Sequence, residues 1–245
     1  MRFRVSPGWI KFIDEMVGIL ADMLEEGDIL VYASKPLLIA REMVVEERDV
    51  DSSEEARRLS ERYGLDPPFT ELIIRYSQRV LGGVEGVLLT LAGDVFTANA
   101  GMDRKNVGLG RVALPPHLLK GVACELRRVI MDRLGVEVGI VISDSVVYPL
   151  RLGTRAYAVD ICGVKPIKNY VGCRDLYGRV IRFTVLNIAD ELASAAHLVM
   201  GEGDEETPIA VIRGLSEYLG EGDIDMLKIP SSRCLYRDLY PQDLL

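Results

Sequence analysis

The 245-residue chain lacks several features that would assign it to common functional classes. It has no excess of basic residues, since its net charge is −8. Nucleic-acid binding depends on Lys and Arg side chains that neutralise phosphates, so we expect no nucleic-acid partner. No run of about 18 apolar residues occurs, so we expect neither a membrane span nor a membrane partner. Charges interrupt the apolar N-terminal stretch, which argues against a signal peptide and favours a cytoplasmic protein.

Metal-binding and phosphate-binding signatures are also missing. The four cysteines include no CxxC pair and only two histidines accompany them, so we expect no structural zinc site. In a cytoplasmic protein the cysteines are expected to be reduced. The chain has no GxxxxGK[ST] loop, so a bound nucleotide would have to be held by a different architecture.

The chain is long and apolar enough for a substantial core, because 49% of its residues are hydrophobic. Helical and strand patterns alternate irregularly, which predicts an α+β fold with mixed or antiparallel sheets rather than a βα repeat. We expect one unit over 1–245. Within it we expect a subdomain at about 146–205 and a C-terminal tail, 216–245, that is loosely held or serves contacts.

Apolar periodicity and end signals place the individual elements. Ser52 or Ser53 is the expected cap of the second helix, and Gly135 is expected to end the fourth. The predicted helices are 9–26, about 54–63, 69–81, 115–134 and 188–200. The predicted strands are 29–33, 84–90, 94–98, 138–143, 155–162, 179–185 and 209–213.

Two aspartates stand at the ends of β-rich apolar segments. Asp103 lies in the run TANAGMDRKN and Asp144 in the run IVISDS, each near another oxygen donor, Asn106 and Ser145 respectively. A carboxylate at a strand end can face a cleft without being buried unpaired. If the two converge, they form a site for a hard cation such as Mg²⁺ or Mn²⁺. The alternative is that each aspartate only stabilises a turn.

Other polar residues have two interpretations each. Glu202 follows the last long helix and either faces a cation or is simply exposed. Arg174, in the glycine-containing run GCRDLYGR, either binds an anion or is a solvated charge of a turn. Ser34 and Lys35 follow an apolar strand and either form a turn or contact phosphate. His197, on an Ala-rich helix, is expected to be a packed or surface residue.

Eight sequence segments together resemble the F-420-0:gamma-glutamyl ligases. They occur in the family's order from about residue 27 to residue 214, which is most of the chain. The segments are GDILVYAS, TANAGMDRKN, LPP, VGIVISDS, GVKPI, GCRDLYGR, ADELASAAHLVMGEG and PIAVIRG.

The resemblance implies a fold and a reaction that composition does not show. The fold would be of an α+β type that forms an intertwined homodimer. The reaction would join L-glutamate, through its amine, to the carboxylate of a deazaflavin coenzyme precursor. It would consume GTP in the presence of Mg²⁺ or Mn²⁺ and pass through an acyl phosphate, with small molecules as the only substrates.

The resemblance also assigns roles to individual residues, although it assigns no catalytic residue. The implied metal ligands are Asp103, Asp144 and Ser145, with Glu202 of the GEG element as a further candidate. The implied nucleotide contacts are Ser34 and Asn106, and Lys35 is a further candidate that the resemblance does not itself supply. The residues proposed to hold a substrate carboxylate or phosphate are Arg151 and Arg174.

Three motifs depart from the family pattern. The segment SPGWIKFIDEM replaces a PLIxxGD-like loop, and Ile39 stands where the family has a lysine that meets the nucleotide. Lys35, four positions earlier, offers a cation from a different point. The family's DSxGRxxR is DSVVYPLR, in which only Arg151 is retained. An active ligase, a divergent enzyme with another nucleotide or acceptor, and a non-catalytic protein on the same scaffold are the three hypotheses.

Overall fold

The computed structural model describes residues 1–241 and contains six α-helices and eleven strands there, joined by turns and short 3₁₀ helices. The helices are α1 (Trp9–Leu20), α2 (Ser34–Ala40), α3 (Glu54–Tyr63), α4 (Pro67–Tyr76), α5 (Val122–Leu134) and α6 (Ile188–Met200). The strands are β1 (Ile29–Ala33), β2 (Val44–Glu46), β3 (Arg79–Val84), β4 (Val87–Ala92), β5 (Val95–Ala98), β6 (Arg111–Ala113), β7 (Gly139–Val147), β8 (Thr154–Cys162), β9 (Ile167–Asn169), β10 (Val185–Asn187) and β11 (Ile209–Ile212).

The central sheet has four strands in the order β11-β1-β7-β8. Strands β1 and β7 run parallel, whereas the outer pairs are antiparallel. The two inner strands are covered on both faces, which explains why their sequences are apolar without alternation. Three small sheets complete the fold, two with two strands and one, β3-β4-β5, with three. The predicted α+β class with mixed sheets is confirmed.

The described residues form three apolar cores, two of which cover the faces of the central sheet. One face packs against α1, α2 and α5. The opposite face packs against α6 and the segment after β11. The third core lies between α4 and the β3-β4-β5 sheet. The functional cavity described below opens at the carboxyl ends of β1 and of the buried part of β7, next to the loop that follows β5.

The clearest local signals in the sequence predict helix ends correctly. Ser53 caps α3 by accepting a hydrogen bond from the Ala56 amide, and the left-handed Gly135 ends α5. Helix α6 has the predicted bounds, with Asn187 as its cap.

Several predicted bounds are wrong. The helix expected at 69–81 ends at Tyr76, because Arg79–Val84 pairs with β4 as strand β3. The helix expected at 115–134 is divided by the left-handed Gly121 into a 3₁₀ turn and α5. The first helix ends at Leu20 instead of 26.

The strand expected at 179–185 is reduced to β10, which begins only at Val185. The residues before it form part of a tight turn, because the Asp175 carboxylate accepts the amide of Arg179 and the Cys173 carbonyl accepts the amide of Ile181. The subdomain expected at about 146–205 stays a prediction.

The tail after residue 216 makes contacts as far as the structure describes it, which is one of the two alternatives predicted for it. Lys120 pairs with Asp225 at 2.5 Å, and Lys228 pairs with Asp94 at 2.7 Å. The Tyr240 ring meets Phe96 edge-on. The tail therefore makes contacts within its own chain, and residues 242–245 of the predicted tail lie outside the described part.

A disulfide joins Cys124 of α5 to Cys162 of β8, so the expectation that all four cysteines are reduced is wrong. Cys173 and Cys234 are free. In residues 1–241, no helix is long and apolar enough to cross a membrane.

The disulfide is expected to stabilise the fold. It closes a loop with a sequence separation of 38 residues, which restricts the unfolded chain. Reduction, or the double change Cys124→Ser with Cys162→Ser, should lower the free energy of unfolding by about 2–4 kcal/mol. Urea denaturation with and without a reductant measures this, and Cys173→Ser is the control. An unchanged midpoint on reduction would show that the bond contributes nothing.

Candidate active site

The loop after β5 has an unusual backbone that its sequence explains. Asn99 and Ala100 both have positive φ angles, of 51° and 56°. They are held there because the Asn99 side chain accepts the Leu88 amide, at 2.8 Å, and Thr90 Oγ1 accepts the Ala100 amide, at 2.9 Å. Such strained conformations persist only where surrounding contacts enforce them, and they are common at functional sites.

Gly101 in this loop cannot be replaced without disturbance. Its φ is 76°, and a Cβ atom there would lie 2.7 Å from the ring of Pro116. The same Cβ would lie 3.8 Å from Oδ2 of Asp144. The run NAG therefore bends the chain closely past Asp144, and Asp103 follows two residues later.

Asp103 is held by a cation from α2. Its Oδ2 atom lies 2.6 Å from the Lys35 ammonium, and its Oδ1 atom accepts the Lys105 amide at 2.8 Å. The second contact is the turn-forming role considered for this residue, and the first is a charge-assisted contact across the site. Both roles are therefore present at once.

Asp144 lies inside β7, beyond a bulge between Ile142 and Ser143, and not at the strand's end as predicted. Its Oδ1 atom accepts a hydrogen bond of 2.6 Å from Ser34, the first residue of α2. Burial raises the pKa of Asp144 to about 6, and the nearby Asp103 charge adds to the rise. The two aspartates are thus close enough to repel each other.

Glu202 receives more hydrogen bonds than any other acid of the site. Its Oε1 atom lies 2.5 Å from Ser145 Oγ, 3.0 Å from Thr154 Oγ1 and 3.0 Å from His197 Nε2. Its Oε2 atom lies 3.2 Å from the Lys105 ammonium. Partial burial raises its pKa, but the bonds from Ser145, Thr154 and Lys105 outweigh burial and lower the pKa to about 2.

Asn106 connects the two loops that border the site. Its side-chain amide donates to the Gly203 carbonyl at 2.6 Å, and its φ is 61°. The loop after β5 is thereby tied to the loop after α6. The nucleotide contact predicted for Asn106 would add to this structural role.

These residues surround a cavity of about 470 Å³, which we call the Asp144 cavity. Its size is within the range usual for small-molecule sites. The predicted site residues that line it are Ser34, Lys35, Asn106, Asp144, Ser145 and Glu202. Asp103 is linked to it through Lys35. Ile39 also lines it, one helical turn after Lys35 on α2.

Besides Asp103, two predicted residues do not line this cavity. Arg151 is exposed in the turn between β7 and β8. Arg174 donates to the Gly178 carbonyl of its own turn at 2.7 Å. This contact favours the alternative that Arg174 is a solvated charge of a turn. Neither lines the Asp144 cavity.

Sequence reasoning missed three partners of Glu202. His197 was expected to be a packed or surface residue, yet it lines the cavity and donates to Glu202. Its position near the C-terminus of α6, five residues before Glu202, was the available signal. Thr154 and Lys105 carried no comparable signal, since their approach depends on strand pairing and loop closure.

The oxygen ligands of this site fit a cation such as Mg²⁺ only if substrate phosphates and water complete its coordination. Among residues 1–241, no three His, Cys, Asp or Glu side chains are close enough to hold a metal by themselves. Mg²⁺ is commonly held by one or two carboxylates together with substrate phosphates and water. Asp144 fits this mode, since it is a half-buried carboxylate that lines the cavity and accepts a hydrogen bond from Ser34 at Oδ1. Glu202 fits less well, because four donors already occupy it.

Comparison with known proteins identifies the family. The model of the F420-0:gamma-glutamyl ligase family matches residues 10–214. The chain belongs to this family. It is similar to coenzyme F420:L-glutamate ligase of Methanopyrus kandleri, with 36% identity over 88% of this chain and 85% of the relative. The ligase of the same name from Archaeoglobus fulgidus is 34% identical over 92% of both chains. The one from Methanocaldococcus jannaschii is 32% identical over 88% and 86%.

Membership of this ligase family agrees with the resemblance inferred from the motifs. It supports a glutamate ligase of coenzyme F420 biosynthesis that acts on small molecules. The matched range contains every residue predicted for the site.

Proposed function

We propose that this F420-0:gamma-glutamyl ligase family member is an active, GTP-dependent and divalent-metal-dependent enzyme. It joins the amine of L-glutamate to the carboxylate of the deazaflavin precursor F420-0. The acceptor carboxylate attacks the γ-phosphoryl group of GTP and displaces GDP, which gives an acyl phosphate. The glutamate amine then attacks the acyl carbon, and inorganic phosphate leaves as the amide forms.

The observation that carries the proposal is the pairing of both aspartates with polar residues of α2. Lys35 bonds Asp103, and Ser34 bonds Asp144, so consecutive residues of one helix hold both carboxylates. A relic without activity would gain nothing from keeping an aspartate whose ionisation destabilises the fold. This favours an enzyme over a non-catalytic scaffold.

In the proposed mechanism the chain's residues chiefly position charge. Lys35 would turn from Asp103 toward a phosphate oxygen, and Ser34 and Asn106 would donate to the nucleotide. Asp103 and Asp144 would hold Mg²⁺ or Mn²⁺, with Ser145 as a hydroxyl ligand. The cation, when bound, would neutralise the charge that develops on the transferred phosphoryl group.

The altered position 39 does not remove the cationic contact. Lys35 and Ile39 are four residues apart on α2, so they share one face of that helix. Both line the Asp144 cavity. We therefore assign to Lys35 the contact that the family makes from position 39.

A turnover assay tests the proposed function. Purified protein is supplied with GTP, Mn²⁺, L-glutamate and F420-0, and both phosphate release and the glutamylated product are measured. The proposal expects product only when all four are present, and less with ATP. Product formed equally well with ATP would favour the divergent enzyme instead. A complete absence of product with both nucleotides would contradict the proposal.

We further propose that the protein is a homodimer. The segment between β7 and α6 exposes large apolar side chains in the loops on either side of β8 and β9; Phe183, for example, is 89% exposed. Isolated exposed apolar residues are ordinary, but a group of them on one segment marks an interaction surface. The others in this group are Leu150, Leu152, Leu176 and Tyr177.

The dimer prediction is tested by light scattering coupled to size-exclusion chromatography. The wild-type protein should have twice the mass of one chain. Phe183→Asp combined with Leu176→Asp should shift it to the monomer, since charges would enter an apolar interface. Leu109→Asp, an equally exposed residue outside this segment, is the matched control. A monomeric wild-type protein would contradict the proposal.

A further inference from the structure

A second cavity, of about 400 Å³, lies beside the first. We call it the Tyr157 cavity. It is bordered by the β4-β5 turn, by β8 and by the C-terminal tail. Tail residues from Ile224 to Tyr240 supply one wall, although the family model ends at residue 214. None of the residues predicted for the active site lines this second cavity.

The two cavities meet at one pair of residues. Asp144 of β7 and Tyr157 of β8 are register partners, so their side chains point to the same face of the sheet. Asp144 lines the first cavity and Tyr157 lines the second. A ligand in the Tyr157 cavity would therefore lie next to the carboxylate that is proposed to hold the divalent cation.

The charges at the Tyr157 cavity are already paired. Lys228 bonds Asp94 at 2.7 Å and Asp225 at 2.9 Å, and Lys120 bonds Asp225. Asp190 accepts the Ala158 amide at 2.8 Å. A phosphate or carboxylate group would find both of these lysines already paired and would be repelled by the acids, so the cavity is unsuited to the nucleotide or to free glutamate.

The remaining surface of the cavity suits a flat ring. Phe96, Tyr157 and Tyr240 line it together with aliphatic side chains such as Leu91 and Ile229. Aromatic rings contribute large contact areas and favour stacked or edge-on neighbours. His117 and Asn187 supply polar groups at the margin that can hydrogen-bond to a ring edge.

We propose that the Tyr157 cavity binds the planar deazaflavin ring of the acceptor and presents its side-chain carboxylate to the Asp144 cavity. The identity of the ring rests on the proposed function. The binding of a planar, largely apolar aromatic ring rests on the cavity itself. The C-terminal tail is then part of the acceptor site.

The experiment uses the full chain and two readouts. The first is the dissociation constant of 5-deazariboflavin, which has the ring but neither phosphate nor glutamate, measured by calorimetry. The second is the KM for F420-0 in the turnover assay. Val95→Trp fills the cavity from the β4-β5 turn, and Phe96→Leu removes one aromatic face. Val84→Trp, on the exposed end of β3, adds the same bulk outside the cavity and is the matched control.

We expect Val95→Trp and Phe96→Leu each to weaken ring binding about tenfold or more and to raise the KM for F420-0, with Val84→Trp like wild type. Phe96→Leu keeps the test decisive if the larger substitution does not fold. Ring binding without any ligation would refute the proposed function but uphold the cavity's role. No ring binding by wild type, or ligation whose KM for F420-0 is unmoved by both variants, would overturn the inference.

Discussion

Asp144→Asn should abolish ligation and, at the same time, make the protein more stable. Phosphate release should fall by about 10³-fold, because a neutral amide neither attracts a cation nor orients it as a carboxylate does. Stability should rise at neutral pH, because burial raises the pKa of Asp144 from 3.8 in the unfolded chain to about 6 in the fold. An ionised Asp144 therefore destabilises the native state.

The pH dependence of this effect has a defined direction. Between pH 3.8 and about 6 the folded protein binds a proton that the unfolded chain has released. Stability contributed by this group is therefore present at low pH and lost as pH rises through that window, by up to roughly 3 kcal/mol. The stability of the Asp144→Asn variant should not fall in this way as the pH rises, because the amide does not ionise. Urea denaturation of wild type and variant at pH 4 and pH 7, in metal-free buffer, measures the difference.

The matched control is Asp132→Asn, on the exposed surface of α5. It should change neither turnover nor the pH dependence of unfolding. If Asp144→Asn were as active as wild type, the residue would have no part in the reaction. If it were less stable than wild type at pH 7, the hydrogen bond from Ser34 would outweigh burial, contrary to the account.

Lys35→Met should weaken GTP binding by about tenfold to a hundredfold, which corresponds to the loss of one charge-assisted hydrogen bond. The substitution keeps the length and packing of the side chain but removes its ammonium group. It also leaves Asp103 without its 2.6 Å ion-pair partner, which should further repel an incoming phosphate. The measurement is calorimetric titration of GTP with Mn²⁺ present.

Lys11→Met is the control for this prediction. Lys11 is also a helical lysine with an acidic neighbour, Glu15, but it lies on α1 and does not line the Asp144 cavity. It should bind GTP like wild type. Unchanged GTP affinity in Lys35→Met would show that Lys35 only holds Asp103 and that another group replaces the family's lysine at position 39.

The parts of the fold that the sequence predicts well are those with a strong local cause. The unbroken apolar runs of β1 and β7 indicate inner strands, and Gly201 marks the end of α6. Strand β3 was missed because Arg79–Val84 contains two glycines and is defined by its pairing with β4. The disulfide was missed because 38 residues separate cysteines that only the packing of α5 on β8 brings together.

The candidate site also has a part that local sequence features predict and a part that depends on the tertiary structure. Asp103 and Asp144 could be selected from the sequence, because each combines a carboxylate with a neighbouring oxygen donor after an apolar segment. The pairings that hold them, from Lys35 and Ser34, depend on where α2 starts relative to the sheet. The four-donor environment of Glu202 depends on contacts between three separate segments. No local pattern encodes those contacts.

The central claim, that Asp103 and Asp144 together hold one divalent cation with the nucleotide, is tested most directly by Mn²⁺ binding followed by electron paramagnetic resonance. The wild-type protein with GTP should bind Mn²⁺ tightly, whereas Asp103→Asn and Asp144→Asn should each bind it far more weakly, with Asp132→Asn unaffected. Wild-type Mn²⁺ affinity in either of the two site variants would contradict the account.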